Sequence, residues 1–553
     1  MTPNKDTTCE QPTTAQQEQQ GIKDIEDVFR DNSTADKGGI STVKIHTRRR
    51  VRPSEDDVQL GCTAAETNDI NPEMHKVFMR TWGCSHNTSD SEYMAGLLAQ
   101  SGFRLSANKA DASVWILNSC TVKGPSEQRF KNEVEEGQSL NKKVIVSGCV
   151  PQGDPRSDYI KGLSIIGVKQ IDEIVTVVEE VLKGNTVRLL SFTKKNGATN
   201  ANGLVKNPPG ASLHFPKIRK NDLIEIIPVS TGCLNSCTYC KTKLARGNLS
   251  SYPIDEIVSR ASQVVEHEGV KEIWLTSEDL GAWGIDLGLT IVDLLKSLVE
   301  CIPADCMLRL GMTNPPYILD HLEEISEILN LPQVYGFLHI PVQAGSDSVL
   351  LEMKREYTRK QFEQIVTFLQ SHVKSLTIAT DIICGFPTET DEDFEETYAL
   401  VKKFKFKVLY INQFYPRPGT AAAKMQRIPT HIVKQRTKAL TELFLSYTPY
   451  DESRIGMEYK NVLVTEISHD TIHLVAHNKA YEQILIRRDL FKDETLIMGK
   501  KIDVKIIAVS KFSMIALPLE KSYNVLQFLN NHLMFVGLLL VLVAVFLSWF
   551  YRL

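Results

Sequence analysis

The segment Thr231-Gly-Cys-Leu-Asn-Ser-Cys-Thr-Tyr-Cys-Lys241 constrains this chain more than any other. It sets three thiols, Cys233, Cys237 and Cys240, four and three residues apart directly after an apolar, strand-like run. Each iron of a cubane iron–sulfur cluster takes a soft ligand, normally a cysteine thiolate, and this loop offers three where four are usual. One iron would stay open to bind a small molecule. The competing reading is a tetrahedral zinc knot, which wants a fourth Cys or His at similarly short range. None follows Lys241 until His267, so the segment favours a cluster.

A chain of 553 residues is too long for one ordinary core, and about three or four folded units are expected. Residues 1–73 are rich in Thr, Gln, Asp, Glu and Asn with few aromatics, and read as a disordered tail in which Cys9 and Cys62 have no assigned role. From 74 to 190 strands alternate with helices: Val77–Thr81, Val114–Asn118 and Val144–Ser147 are strand-like, and Thr88–Ser101 carries a helical apolar stripe. That alternation predicts a parallel α/β sheet. Cys84, Cys120 and Cys149 each follow one of these strands closely. Parallel strands bring their C-terminal ends to one edge, where open α/β sheets bind ligands, so three thiols far apart in sequence can converge there.

Residues 191–220 are rich in Asn, Gly, Lys and Pro and read as a linker. A second strand–helix series occupies 221–448, with candidate strands Leu223–Val229, Glu272–Thr276, Met307–Gly311, Tyr335–Ile340, Leu376–Ile383 and Val408–Phe414. Six such units predict a partial (β/α)6 barrel with its ligand-bearing loops after the strands, Cys233 after the first. Short strands at Asn461–Thr465, Ile472–Val475, Gln483–Ile486 and Ile502–Ile507 then predict a small β barrel over 449–517. Finally, Leu533–Phe550 is an uncharged run of 18 residues. At helical rise it reaches about 27 Å, close to a thin bilayer core. Residues 533–551 therefore read as a C-terminal transmembrane helix anchoring the chain by its tail, with the endoplasmic reticulum expected ahead of the mitochondrial outer membrane and the other domains in the cytosol.

The net charge of −4 supplies no global basic field, so any nucleic-acid contact must rest on local patches such as Arg48–Arg52, Lys402–Lys407 or Arg487-Arg488. The chain has 11 cysteines, an odd number, and no secretory leader pattern follows Met1. Metal ligands or buried thiols are more consistent with this than a disulfide framework.

Several further motifs join these features: Thr81-Trp-Gly-Cys-Ser-His-Asn-Thr-Ser-Asp-Ser91, Pro341-Val-Gln-Ala-Gly-Ser-Asp347, Thr380-Asp-Ile-Ile-Cys-Gly-Phe-Pro-Thr-Glu389 and Gln413-Phe-Tyr-Pro-Arg-Pro-Gly419. With the two cysteine triads they resemble the methylthiotransferase family of radical S-adenosylmethionine (SAM) enzymes over residues 74–517. The resemblance implies two [4Fe–4S] clusters, an auxiliary one on Cys84, Cys120 and Cys149 and a SAM-binding one on Cys233, Cys237 and Cys240. It further implies SAM contacts from Ser277, Glu278, Asp279, Gln343 and Asp381, and a C-terminal RNA-binding module, called TRAM, whose Lys500, Lys501 and Lys505 would hold RNA.

Members act on isopentenyladenosine in tRNA, threonylcarbamoyladenosine in tRNA, or a ribosomal-protein aspartate. The barrel motifs, Thr276-Ser-Glu-Asp-Leu-Gly-Ala-Trp-Gly284 and the apolar tail are most similar to the second branch. That branch methylthiolates C2 of the adenosine at position 37, and the expected partners are a tRNA anticodon stem-loop, an electron-donating reductase and a sulfur donor. A membrane-tethered iron–sulfur protein that only binds RNA or senses redox state is the rival from another class.

Overall fold

The computed structural model describes residues 70–121, 124–190, 209–491 and 493–519, divided between two compact units, 1–190 and 191–553. The first unit is a six-stranded parallel sheet in the order β2-β1-β3-β4-β5-β6. Its strands are β1 (Lys76–Thr81), β2 (Arg104–Ser106), β3 (Val114–Ser119), β4 (Lys143–Gly148), β5 (Ser164–Ile166) and β6 (Arg188–Leu189). Interleaved helices are α1 (Ser85–Gln100), α2 (Gly124–Ser139), α3 (Cys149–Gly153) and α4 (Ile174–Leu182). Every residue of β3 is buried, as a central strand covered on both faces requires. Three of these strands are the expected ones. The others escape a reading by period because they are only two or three residues long.

The second unit opens on β7 (Ile224–Pro228), followed by the short hairpin pair β8 (Ser230–Thr231) and β9 (Ser250–Ser251) with α5 (Thr242–Arg246) between them. Then come α6 (Ile254–His267), β10 (Glu272–Thr276), α7 (Ile291–Cys301), β11 (Met307–Arg309), α8 (Leu322–Asn330) and β12 (Phe337–His339). The series closes with α9 (Asp347–Glu352), α10 (Arg359–His372), β13 (Thr377–Cys384), α11 (Asp391–Phe404), β14 (Val408–Gln413) and α12 (Thr430–Ser446). Two three-stranded parallel sheets, β7-β10-β11 and β12-β13-β14, are joined by bridges from Leu308 to Val334 and from Met312 to His339, which completes the expected six-stranded partial barrel. Capping boxes at Thr290/Asp293, Thr358/Gln361 and Thr390/Asp393 start α7, α10 and α11. Each satisfies otherwise orphaned N–H groups where a loop turns into a helix.

Part of the expected linker is packed. Leu213 is fully buried, and Lys217 and Arg219 reach Glu225 on β7 at 3.0 and 2.5 Å. A reading by composition misses this, because the segment's polar side chains have their partners in the barrel.

A closed five-stranded barrel follows, made of β15 (Glu458–Ile467), β16 (His473–His477), β17 (Gln483–Arg487), β18 (Lys501–Val509) and β19 (Met514–Pro518). The sequence reading lacked β19, which brings the edges together. This small barrel sits at the end of the large one where its strands begin. Leu463 and Tyr481 share a core with Ile224, Trp274, Tyr335 and Phe337, and the Arg309 guanidinium lies over the rings of Trp274, Phe337 and Tyr481 at 4.6 to 5.1 Å. Among the described residues no helix is long and apolar enough to cross a membrane. The expected anchor at 533–551 lies outside them, as do Cys9, Cys62 and most of the expected N-terminal tail.

Candidate cluster sites and cofactor pocket

In the first unit one amide ties together the segments that carry the three cysteines. Cys84 precedes α1, Cys120 follows β3 and Cys149 opens α3. Gly83, at φ +108°, permits the approach: a Cβ there would lie 2.1 Å from Cys120 Cβ and 2.7 Å from its Sγ. Gly148, at φ +89°, is held as tightly, with Ser119 O 2.3 Å from where its Cβ would be. Asn87 Nδ2 donates to Trp82 O at 3.0 Å and to Ser119 O at 2.8 Å, and its Oδ1 accepts from the Cys149 thiol at 3.7 Å. One side chain thereby touches the segment of each cysteine. Sequence reasoning quoted Asn87 within a motif without giving it a role. Its burial is the signal that was missing, since a fully buried amide must be hydrogen-bonded.

In the second unit the thiol loop leaves β8 through Gly232, at φ +79°, where a Cβ would strike Asn248 O at 2.2 Å. Cys233 N donates to Gly247 O at 3.2 Å, Thr238 N to Met353 O at 3.0 Å, and Ala422 N to Thr238 O at 2.9 Å, so distant parts of the barrel rim pin the loop. Tyr239 is buried edge-on to Phe386 with centroids 6.4 Å apart. Arg355, just beyond α9, donates to Cys237 Sγ at 3.3 Å and also to Asn314 Oδ1. Asn314 in turn donates to Asp279 from its backbone at 3.0 Å and its amide at 2.6 Å. A connected path thus runs from a cluster thiol to a candidate SAM residue, through two residues the sequence did not single out.

Burial, with the Asp279 charge next, pushes the Cys233 thiol up to about 12, and burial raises Cys237 against the opposing Arg355 charge. Metal binding deprotonates such thiols. Thr242 N donates to Cys240 Sγ at 3.4 Å, and with Arg355 it supplies the N–H donors that tune sulfur ligands. Among the described residues no three His, Cys, Asp or Glu side chains are clenched tightly enough to hold a single ion. The thiols of Cys233, Cys237 and Cys240 lie near enough to influence one another, and a donor set made only of sulfur on an open loop suits an iron–sulfur cluster better than a single hard ion.

The expected SAM residues divide. Glu278 pairs with Arg246 at 3.1 Å, both buried. Asp279 is buried on Asn314, and desolvation raises it to about 6 against those hydrogen bonds. Ser277 Oγ is buried without a hydrogen-bond partner. Gln343, beyond β12, and Asp381, within β13, are partly exposed. Gln343 stands at φ +69°, unusual for a side chain with a Cβ. It is held there by Gln343 N donating to Asp381 O at 2.8 Å and Ile383 N donating to Gln343 O at 2.9 Å. Asp381 Oδ2 meets His339 Nε2 at 2.5 Å, on the face that Ala379 and Phe337 turn to the barrel interior. His339 went unnoticed in the sequence because its partner is 42 residues away.

A six-stranded partial barrel carrying this thiol loop, with a second thiol-bearing α/β unit before it, defines a radical-SAM enzyme. The Radical SAM superfamily matches residues 227–401, and the family described as uncharacterized protein family UPF0004 matches 76–162. The threonylcarbamoyladenosine tRNA methylthiotransferase of Homo sapiens is 54% identical over 501 residues, covering 90% of this chain and 84% of its own. That of Drosophila melanogaster is 59% identical over 446 residues, covering 81% and 78%. Among solved structures, the radical S-adenosylmethionine methyltransferase TsrM of Kitasatospora setae is similar over 63% of this chain and 75% of its own, at 13% identity and a TM-score of 0.46. The chain belongs to the threonylcarbamoyladenosine tRNA methylthiotransferase family.

Proposed function

We infer that this chain is a transferase that replaces the C2 hydrogen of N6-threonylcarbamoyladenosine, at position 37 beside the tRNA anticodon, with a methylthio group. The observation that carries this reading is a chain 54% identical over most of its length to a relative bearing that name, with three of the cysteines in each unit at or beyond strand ends. The target is an unactivated aromatic C–H that acid–base groups cannot open. When bound, two [4Fe–4S] clusters and SAM supply the electron, the radical and the sulfur that this substitution needs.

The chain's own residues do the holding and shaping. Cys84, Cys120 and Cys149 would hold the auxiliary cluster, their segments tied by Asn87, and Cys233, Cys237 and Cys240 would hold the other on its pinned loop. Gln343 and the His339–Asp381 pair give the barrel mouth its polar contacts, and Ser277 supplies one more hydroxyl at the strand ends. The apolar floor of Trp274, Phe337 and Tyr481 keeps water out from below.

The five-stranded barrel acts as the RNA-holding, TRAM-like module, and the substrate is presented in a single-stranded loop where a base is cheaply splayed out. Residues 533–551 anchor the chain in the endoplasmic reticulum membrane with the catalytic domains facing the cytosol. Support comes from the uncharged run of 18 residues, long enough to cross a thin bilayer, and from Trp549 and Tyr551, residue types enriched at membrane interfaces. An external reductase and a sulfur donor complete the set of partners.

The test compares the modified nucleosides of total tRNA with and without this protein by mass spectrometry. Loss of the 2-methylthio form with accumulation of threonylcarbamoyladenosine supports the reading. Loss of a methylthio isopentenyladenosine instead moves the enzyme to the neighbouring branch, and no change in either sinks it.

A further inference from the structure

Several cations of the second unit are spent internally. Lys501, expected to face RNA, donates to Ala304 O at 2.6 Å, and Lys511 donates to the Phe444 and Tyr447 carbonyls. Arg487 and Arg488 are paired with Asp489 and Glu494. Of the three lysines expected to hold RNA, Lys500 and Lys505 stay exposed.

The cleft where the small barrel meets the large one is different. A cavity of about 360 Å³ is lined there by Lys374 and Lys407 from the large barrel, and by Arg454, Lys460 and Lys479 from the following module, with Glu482 as its carboxylate. Five cations face one anion. Glu482 is buried and accepts from Lys407 at 2.6 Å and Arg454 at 3.2 Å. Lys479 Nζ is held by the carbonyls of Leu329 and Leu331, each at 2.7 Å, and of Val334. Glu482 thereby sets Lys407 and Arg454 in place at the back of the cleft, while Lys479, like Lys501, spends its N–H donors on carbonyls and adds only its charge. At its lip, Lys374 and Lys460 are exposed and form no ion pair among the described residues.

We propose that this junction cleft binds backbone phosphates of the tRNA, gripping it at the end of the catalytic barrel opposite the thiols. The proposal rests on the tRNA reading above and deepens it by giving the RNA a second, remote point of attachment. Fixed cations in a cleft between two modules attract a polyanion and release its counterions on contact. A narrow concave site suits a projecting row of phosphates better than the flat surface of a membrane.

The geometry also says which part of the RNA is held. The lining residues Val373–Leu376 immediately precede β13, whose eight residues run from this end to the mouth, a distance of about 26 Å at the usual rise per residue. The phosphates gripped here therefore lie outside the loop that carries the target base. They contribute to KM for a whole tRNA, and a short hairpin presenting the loop alone does not reach them.

The experiment uses the full chain, anaerobically reconstituted, with Lys374→Glu and Lys460→Glu combined. Both positions are exposed, and a thermal melt against wild type checks the fold. Expected are a KM for full-length tRNA raised about tenfold with kcat unchanged, a salt slope of tRNA binding reduced by about 2, and unaltered kinetics on the short hairpin. Wild-type values of KM and salt slope in the variant overturn the proposal. So do equal losses on tRNA and hairpin, which would mean damage to the catalytic barrel, and weakened binding to phosphatidylserine–phosphatidylcholine vesicles with tRNA kinetics intact, which would make the cleft a membrane contact. Should wild type modify no tRNA at all, the functional reading fails separately, and filter binding of tRNA to the same two proteins still decides the cleft.

Discussion

Arg355 is the residue whose placement most changes the chemistry available at the SAM-cluster site. A guanidinium donating to Cys237 Sγ at 3.3 Å stabilises the more negative, reduced state of whatever iron the sulfur holds, because hydrogen bonds and charge near the sulfurs set a cluster's potential. Arg355→Met keeps the length of the side chain and removes the charge. Its expected effect is a reduction midpoint moved to a more negative value and slower 5′-deoxyadenosine formation, with Arg355→Lys in between, as read by EPR-monitored titration of the reconstituted protein. A midpoint identical to wild type would mean that the guanidinium only ties the loop to Asn314. Neither Arg355 nor Asn87 stands out in the sequence, because single polar residues become conspicuous only when burial forces them to find partners. The cysteines draw attention in the sequence because thiol ligation is confined to one residue type, and Cys233, Cys237 and Cys240 are confined to one loop.

Among the elements, β7 carries an unusual load. Glu225 is buried in it and meets Lys217 at 3.0 Å, Arg219 at 2.5 Å and Arg260 at 3.1 Å. Burial alone would raise this carboxyl, yet the charges of Lys217, Arg260 and Arg219 overcome it and hold the group at about 2, below its ordinary 4.5. A group depressed in the folded state adds stability above its unfolded value and loses it as pH falls through the folded one. The contribution, about 3 kcal/mol, is therefore present above about pH 5 and lost between there and pH 2. Glu225→Gln should lower the melting temperature at neutral pH and flatten the acid limb of a melting-temperature profile, because it strands three cations around a neutral amide. A variant with the wild-type acid limb would show that other carboxylates govern it. The helices and longer strands of the barrel were readable from apolar period and capping boxes such as Thr390/Asp393. The strands β2, β5 and β6 were not, since two or three residues hold no period, and β19 was missed because closure of a barrel is decided by partners distant in the chain.

Across the whole molecule the two thiol sites belong to separate units, so they should fail separately. Cys149→Ala is expected to halve the bound iron and abolish methylthio transfer while leaving SAM cleavage to 5′-deoxyadenosine measurable. Cys237→Ala should likewise halve the iron and end both activities. Iron analysis alongside product assays separates the two, and loss of all iron in either variant would contradict independent sites. The sequence by itself determined the six-stranded barrel and the short-strand module after it, because apolar period and loop position are local properties of a chain. Only the tertiary structure decided that one amide ties three cysteine segments together, that a guanidinium reaches a cluster thiol, and that the small barrel closes the far end of the large one and consumes Lys501 there. Those outcomes depend on which buried groups meet across long stretches of chain, where the cost of leaving a polar group unpaired selects its partner.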